Sequence, residues 1–373
     1  MIQIMFKPEI HKFAASSEFV ETFALNERDL ILTNEYIYQP YFGALSLKCK
    51  VLYQEVYGMG EPTDIMVDRI LEDARKADCT RVIAIGGGTI IDIAKVLAAA
   101  DGDTVDELYA KGAGSGLTKK RSLVIVPTTC GTGSEVTNIS IINRTRMGTK
   151  MGLVGPALFA DYAVLIPELL EKLPFGVFAT SSIDALVHAV ESALSPKATS
   201  YTKLFSYKAI EMILKGYKTI AAQGQNARIG LLESFLDASN YAGLAFGTAG
   251  CGPVHAMSYP FGGQYHVAHG ESNYVIFTGV LKNYMKLKRD GEIAFLNGFM
   301  ADILESDSGN VYAALEGLLN TILPKKAMRE YGVKTEELPE FAKSVIEKQQ
   351  RLMSNSFVPL GYEHVLKIYQ ELY

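Results

Sequence analysis

Several things are scarce in this 373-residue chain, and each absence excludes a class of function. No run of about 18 apolar residues occurs, so no transmembrane helix is expected. The opening MIQIMFKPEIHKF has no long apolar stretch of the kind a secretory signal needs. Basic residues form no stripe, and the net charge is −5, so a nucleic-acid partner has no electrostatic footprint. Only four cysteines are present, at 49, 79, 130 and 251, without CxxC spacing. They read as reduced thiols of a cytoplasmic protein rather than as a disulfide framework or a thiolate metal site. Any metal is therefore expected on histidine and carboxylate. No GK[ST] follows a glycine loop, and no Ser–His–Asp arrangement stands out. Histidine is scarce too, with six in all, yet three of them (His255, His266 and His269) lie in HAMSYPFGGQYHVAHGE.

What is present divides the chain in two. At 48% apolar residues it is too long for one core, and residues 1–173 and 174–373 are expected to be separate domains. The first half alternates short apolar runs with amphipathic segments. DLILT (29–33), CKVLY (49–53), RVIAI (81–85), SLVIVP (122–127) and YAVLI (162–166) read as buried strands. Segments 65–77 and 86–100 read as helices between them. This alternation predicts a parallel sheet covered on both faces, a Rossmann-like α/β domain. The second half shows helical spacing over 176–194, 200–222, 226–247, 272–287, 309–322 and 337–353, and predicts an all-α domain. No repeat is visible, which excludes a solenoid.

Two loops suit a dinucleotide. In VIAIGGGTIIDIAK (82–95), Gly86, Gly87 and Gly88 end a strand and open a helix. Such a run is either a tight turn or a cradle where helix N–H groups meet a pyrophosphate. PTTCGTGSEVT (127–137) follows the next strand with Thr128, Thr129, Thr132, Ser134 and Thr137. Its hydroxyls and amides are either a solvated turn or a cofactor border. Cys130 there has no base nearby in sequence and reads as a packing thiol. In SSIDALVHAVE (181–191), Asp184 and His188 stand four apart and share a helix face. With His255 and His269 they make three imidazoles and one carboxylate, which suits Fe2+ or Zn2+ with an open position.

GGGTIID, PTTCGTGSEVT, DALVHAVE and the pair His255 and His269 with HGE together resemble the iron-containing (group III) alcohol dehydrogenases. The resemblance spans nearly the whole chain. It implies the fold of that family, shared with dehydroquinate synthase: an α/β domain and then a helical one. It implies NAD and Fe2+ (or Zn2+) as cofactors. The metal ligands are then Asp184, His188, His255 and His269. Gly87, Gly88, Thr89 and Asp92 would meet the pyrophosphate and its helix; Thr128, Thr129, Thr132 and Thr137 would border the nicotinamide. Lys150 falls near the cofactor ribose. Asn34 stands where many relatives have an aspartate on the adenosine ribose, which favours NAD over NADP less strictly. Tyr259 stands where many relatives have a histidine, so the family's proton relay does not simply transfer. LTNEYIYQP, YGMGEPTD, GGQYHVAHGESNY and VIEKQQRL are similar to the members that interconvert 4-hydroxybutyrate and succinate semialdehyde. The substrate carboxylate then needs a partner, first His266 with Tyr265 beside it, next Lys150 and Arg144. Other expectations are a general primary-alcohol or 1,3-propanediol dehydrogenase of the same family, a dehydroquinate-synthase-like lyase, or a scaffold with a dead site. A homodimer is expected from the prevalence of two-fold assemblies.

Overall fold

Residues 2–114 and 116–373 are described by a computed structural model. The strands are β1 (Glu9–Lys12), β2 (Asp29–Thr33), β3 (Lys50–Tyr53), β4 (Arg81–Gly86), β5 (Ser122–Pro127), β6 (Ile139–Arg144), β7 (Thr149–Val154) and β8 (Tyr162–Leu165). Six form one sheet in the order β1–β8–β5–β4–β2–β3, with every pair parallel. All five residues of β2 are buried, which is why the run reads as continuously apolar rather than alternating. Leu30, Leu32, Val82, Ala84, Leu123 and Ile125 join Ile90, Ile93 and Leu97 of the following helix in one core.

The chain steps outward from β2 to β3, then returns past β2 to β4. Strand order therefore reverses between β2 and β4. In open α/β sheets a ligand sits in the crevice at such a reversal, beyond the carboxyl ends of the strands. The three glycines end β4, and Asn34 follows β2.

Two features depart from the expected elements. β1 is a polar edge strand, EIHK, with no apolar run to announce it. β6 and β7 form a separate antiparallel hairpin, from Ile139 opposite Val154 to Arg144 opposite Thr149.

The chain folds as two units, Phe6–Leu173 and a second one of Pro174–Tyr373 with the segment ending at Met5. Met5 N–H donates to Thr248 Oγ1 (2.9 Å), and Thr199 Oγ1 donates to Gln3 O (2.6 Å). The second unit holds no strand among its described residues. In its Phe175–Leu194 helix every residue from Ser182 to Leu194 is buried, so this helix is wrapped on all sides. Helices also span Glu292–Leu304 and Tyr362–Leu372, which the periodicity did not single out. The 226–247 segment begins with a 3-10 stretch, Gln225–Leu231, before the Leu232–Ala249 helix. The 337–353 segment breaks into Leu338–Lys348 and Gln350–Met353.

Candidate metal centre and cofactor cradle

Asp184, His188 and Glu191 follow one another at spacings of four and three on the Phe175–Leu194 helix. At 100° per residue they fall on one stripe, and all three are buried. His255 comes from the Pro253–Tyr265 helix, and His269 opens the His269–Leu287 helix. Gly270 permits the close crossing that seats His269: a Cβ there would lie 2.0 Å from Thr180 O and 3.2 Å from Asp184 Cβ.

His255 Nε2 lies 3.6 Å and His269 Nε2 3.7 Å from Asp184 Oδ1; His188 Nδ1 lies 3.8 Å from Asp184 Oδ2. These gaps are long for hydrogen bonds. They approach the roughly 3.4 Å that separates two ligand atoms each about 2.1 Å from one tetrahedral ion. His255 Nε2 is buried with no hydrogen-bond partner. An orphaned buried nitrogen is costly, and a metal ion would satisfy it. His255 Nδ1 lies 2.6 Å from Glu191 Oε2. The Glu191 carboxylate also accepts from the Gly252 and Val254 N–H groups, at 2.9 and 2.6 Å. A histidine so braced turns its other nitrogen toward a metal. Asn273 Nδ2 donates to Asp184 Oδ1 (2.7 Å), which fixes that carboxylate. The His188 ring stacks on His255 and on Phe246, with centroids 4.5 and 4.3 Å away.

Electrostatics agree with this geometry. Burial alone would raise the Asp184 pKa, but His188, His269 and His255 hold it well below the usual carboxylate range. Burial opposes a charge on His255, yet Asp184 and Glu191 lift its pKa to about 9. A divalent ion held there would displace that proton. Two overlapping sets place their ligand atoms within 4.8 Å of one another: Asp184 with His255 and His269, and His188 with His255 and Cys251. Cys251 thus borders the centre, although its sequence position gave no sign of this. Burial, then the Glu191 charge, pushes its thiol pKa well above the ordinary value, so it is a poor ligand. The donor set of three imidazoles and one carboxylate fits divalent iron or zinc.

Three neighbouring residues behave differently. Tyr259 lies with its ring 5.9 Å from that of His269, and burial raises its phenol pKa, so it is no base near neutral pH. His266 is exposed and takes a left-handed conformation (φ 52°) at the end of its helix. Tyr265 donates its hydroxyl to Glu337.

In the α/β unit, the register Gly86 opposite Pro127 aligns the ends of β4 and β5. Thr128 N–H then donates to Gly86 O (3.1 Å), stitching the Thr-rich loop to the glycine turn. A Cβ on Gly88 would lie 3.0 Å from Thr132 Cγ2, and one on Gly87 3.4 Å from Thr129 Cγ2. Gly87 caps the Gly88–Ala99 helix without a side-chain bond, and Thr89 Oγ1 donates to Gly60 O (3.4 Å). Thr128 and Thr137 are buried; Thr129 and Thr132 are partly exposed. Asp92 differs from the expected pyrophosphate contact. Its carboxylate accepts from Ser134 Oγ (3.3 Å) and Ile141 N–H (3.0 Å) and so braces β6. Lys95, fully buried, donates from Nζ to Ser134 Oγ (2.7 Å), Thr137 Oγ1 (3.0 Å) and Ile139 O (2.7 Å). Asn34 is buried and donates to Gln54 Oε1 (3.1 Å) and Glu55 Oε2 (2.8 Å). Lys150, on β7, is held by Glu61 at 2.8 Å.

Comparison with known proteins names this arrangement. The family model described as "Iron-containing alcohol dehydrogenase" matches residues 9–167, and "Fe-containing alcohol dehydrogenase family, C-terminal" matches residues 178–373. The chain belongs to the iron-containing alcohol dehydrogenases. It is 45% identical to the 4-hydroxybutyrate dehydrogenase of Clostridium kluyveri, over 98% of each chain. It is 34% identical to long-chain-alcohol dehydrogenase 1 of Geobacillus thermodenitrificans, over 86% of this chain and 83% of that one. Among solved structures, the sulfoacetaldehyde reductase of Bifidobacterium kashiwanohense in complex with NAD+ shares the fold, with TM-score 0.85 at 23% identity over 100% of this chain and 99% of that one.

In this iron-containing alcohol dehydrogenase, sequence reasoning overlooked Glu191, Asn273, Lys95 and Cys251. The first three had a usable signal. Glu191 stands three after His188, Asn273 four after His269, and Lys95 three after Asp92, each one turn along a buried helix.

Proposed function

We propose that this chain is an NAD- and divalent-metal-dependent dehydrogenase that interconverts 4-hydroxybutyrate and succinate semialdehyde. The observation that carries the chemistry is the convergence of Asp184, His188, His255 and His269, with His255 Nε2 buried and unsatisfied. The substrate rests on the 45% likeness over 98% of the chain. When bound, Fe2+ (or Zn2+) supplies a Lewis acid toward the alcohol oxygen, and NAD+ supplies the hydride acceptor.

The chain's residues prepare that chemistry. Glu191 orients His255, and Asn273 and the three imidazoles keep Asp184 ionised. The helix opening at Gly88 offers N–H groups and a positive dipole end to the pyrophosphate. Thr128, Thr129, Thr132 and Thr137 border the nicotinamide. Lys95 and Asp92 hold the loop that carries Thr132 and Thr137 from beneath. Tyr259 stays a neutral phenol and is not the base that takes the hydroxyl proton. Asn34 holds the Glu55 carboxylate at the end of β2, where a negative charge disfavours a 2′-phosphate and supports NAD over NADP. All four cysteines are buried and free, which suits a reducing compartment, and we place the enzyme in the cytoplasm as a homodimer. No helix among the described residues is long and apolar enough to cross a membrane.

The test is NADH formation by Fe2+-reconstituted enzyme under anaerobic conditions, with 4-hydroxybutyrate, 1-butanol and 1,3-propanediol in parallel. Metal-dependent turnover with a clear preference for 4-hydroxybutyrate is expected. Equal turnover of the three alcohols makes the enzyme a general primary-alcohol dehydrogenase.

A further inference from the structure

The grip of Glu191 on His255 has its own support. Glu191 accepts from the Gly252 and Val254 N–H groups, at 2.9 and 2.6 Å, and lies 2.6 Å from His255 Nδ1. Its carboxylate therefore stands where the Gly250–Gly252 loop puts those amides. Two of the three loop residues are glycine, the residue with the most conformational freedom to lose, so the loop needs something to hold it. Gly250 takes a left-handed conformation (φ 80°), and its N–H closes the end of the Leu232–Ala249 helix on Phe246 O (2.7 Å).

Asn355, 104 residues beyond Cys251 and buried, grips the middle of this loop. Its Nδ2 donates to Cys251 O (2.8 Å) and to Arg351 O (3.3 Å). Both acceptors are carbonyls, so the amide nitrogen, and not its oxygen, must face them. Both glycines are shaped around this contact. A Cβ on Gly250 would lie 2.4 Å from Asn355 Nδ2. One on Gly252 would lie 3.2 Å from Glu191 Oε1 and 3.5 Å from Asn355 O. Asn355 and Glu191 thus close on the same three residues. The turn that carries Asn355 is itself fixed. Asn355 N–H donates to Leu352 O (2.9 Å), and Ser356 Oγ lies 2.8 Å from Tyr284 Oη on the His269–Leu287 helix. Buried polar groups joined in one network act on one another more strongly than isolated pairs do.

We propose that Asn355 is a positioning residue of the metal centre. By holding Cys251 O it fixes the Gly252 and Val254 amides, which keep Glu191 on His255. It is not a ligand and acts through Glu191. The inference rests on the metal-centre reading above.

The experiment compares the full-length wild-type enzyme with N355A, N355D, E191Q, the E191Q/N355A double variant and N297A. It measures Fe2+ affinity by anaerobic competition with a chelator, the visible absorption of the Co2+-loaded enzyme, and the urea midpoint. N355D keeps the shape and removes the donor, and it carries the test if the N355A cavity prevents folding. Asn297 is the comparison residue: it is also buried and accepts from Tyr312 Oη (2.9 Å) on a neighbouring helix. Losing the Asn355 donor is expected to lower Fe2+ affinity about tenfold, the low end for groups that orient a ligand, and to change the Co2+ band as His255 turns. In the E191Q background N355A is expected to add about twofold or less, because both residues act on one path. N297A is expected to lower the urea midpoint and to leave affinity and spectrum unchanged. Asn355 variants that behave as N297A does overturn the inference, as does a loss that recurs in full on E191Q. Wild-type enzyme that binds no Fe2+ overturns the metal-centre reading and this inference with it.

Discussion

The metal centre and the cofactor cradle are built on opposite principles. The centre uses side chains: four proposed ligand residues from three helices, held by Glu191 and Asn273. The cradle uses backbone: glycines that open a helix and a Thr-rich loop aligned by the register of β4 with β5. A side-chain site depends on the identity of each residue. A backbone site depends on the room left for a ligand and on what supports the loop from behind. Substitutions should therefore fail abruptly in one region and by degrees in the other.

The sharpest test is Asp184→Ala. It leaves three imidazoles without their shared carboxylate, so metal content by elemental analysis should fall to background. Anaerobic NADH formation should drop by about a thousandfold or more, ~4 kcal/mol of transition-state stabilisation. Full metal content in this variant would break the ligand assignment. Next comes Lys95→Met in the other region. It removes the donor to Ser134 Oγ, Thr137 Oγ1 and Ile139 O. Leaving a buried acceptor unsatisfied costs about 1–3 kcal/mol for each one, readable as a lower urea midpoint. A smaller loss is expected for Glu191→Gln, which keeps the shape but weakens the grip on His255. Metal affinity should fall about 10- to 100-fold, the range for such supporting groups. Gly88→Ala pushes a methyl toward Thr132. KM for NAD+ should rise about tenfold, ~1.4 kcal/mol, with metal content unchanged. A change in metal content there would blur the distinction between the two regions.

Stability should also depend on pH. Burial outweighs the Asp92 and Glu135 charges and lowers the Lys95 pKa to about 8. An unfolded lysine titrates near 10.4. Between these values the unfolded chain binds more protons, so stability should rise with pH from about 8 to about 10. The penalty of charging the buried amine is fully present below that window. Lys95→Met should flatten the rise in urea midpoint; a rise that persists would assign it to other groups.

Legibility followed locality. The apolar runs of β2, β4 and β5 and the glycine-to-helix transition are contiguous, and each could be read where it stands. β1 could not, because three of its four residues are polar and only pairing with β8 makes them a strand. Asp92 stood in a cofactor motif, but its carboxylate turned to Ser134 and Ile141. Lys95 reads as one charged residue in an apolar helix until β6 closes over it.

The sequence alone determined the order of the domains, the parallel strands and the four metal-ligand candidates, because periodicity and residue chemistry are written residue by residue. Only the tertiary structure decided which atoms meet. Gly270 lets His269 approach Asp184, Glu191 turns His255 inward, and Asn355 clips the Arg351 turn to Cys251, 104 residues before it. Such meetings depend on helix crossings and hydrogen bonds between distant segments, which no local pattern encodes.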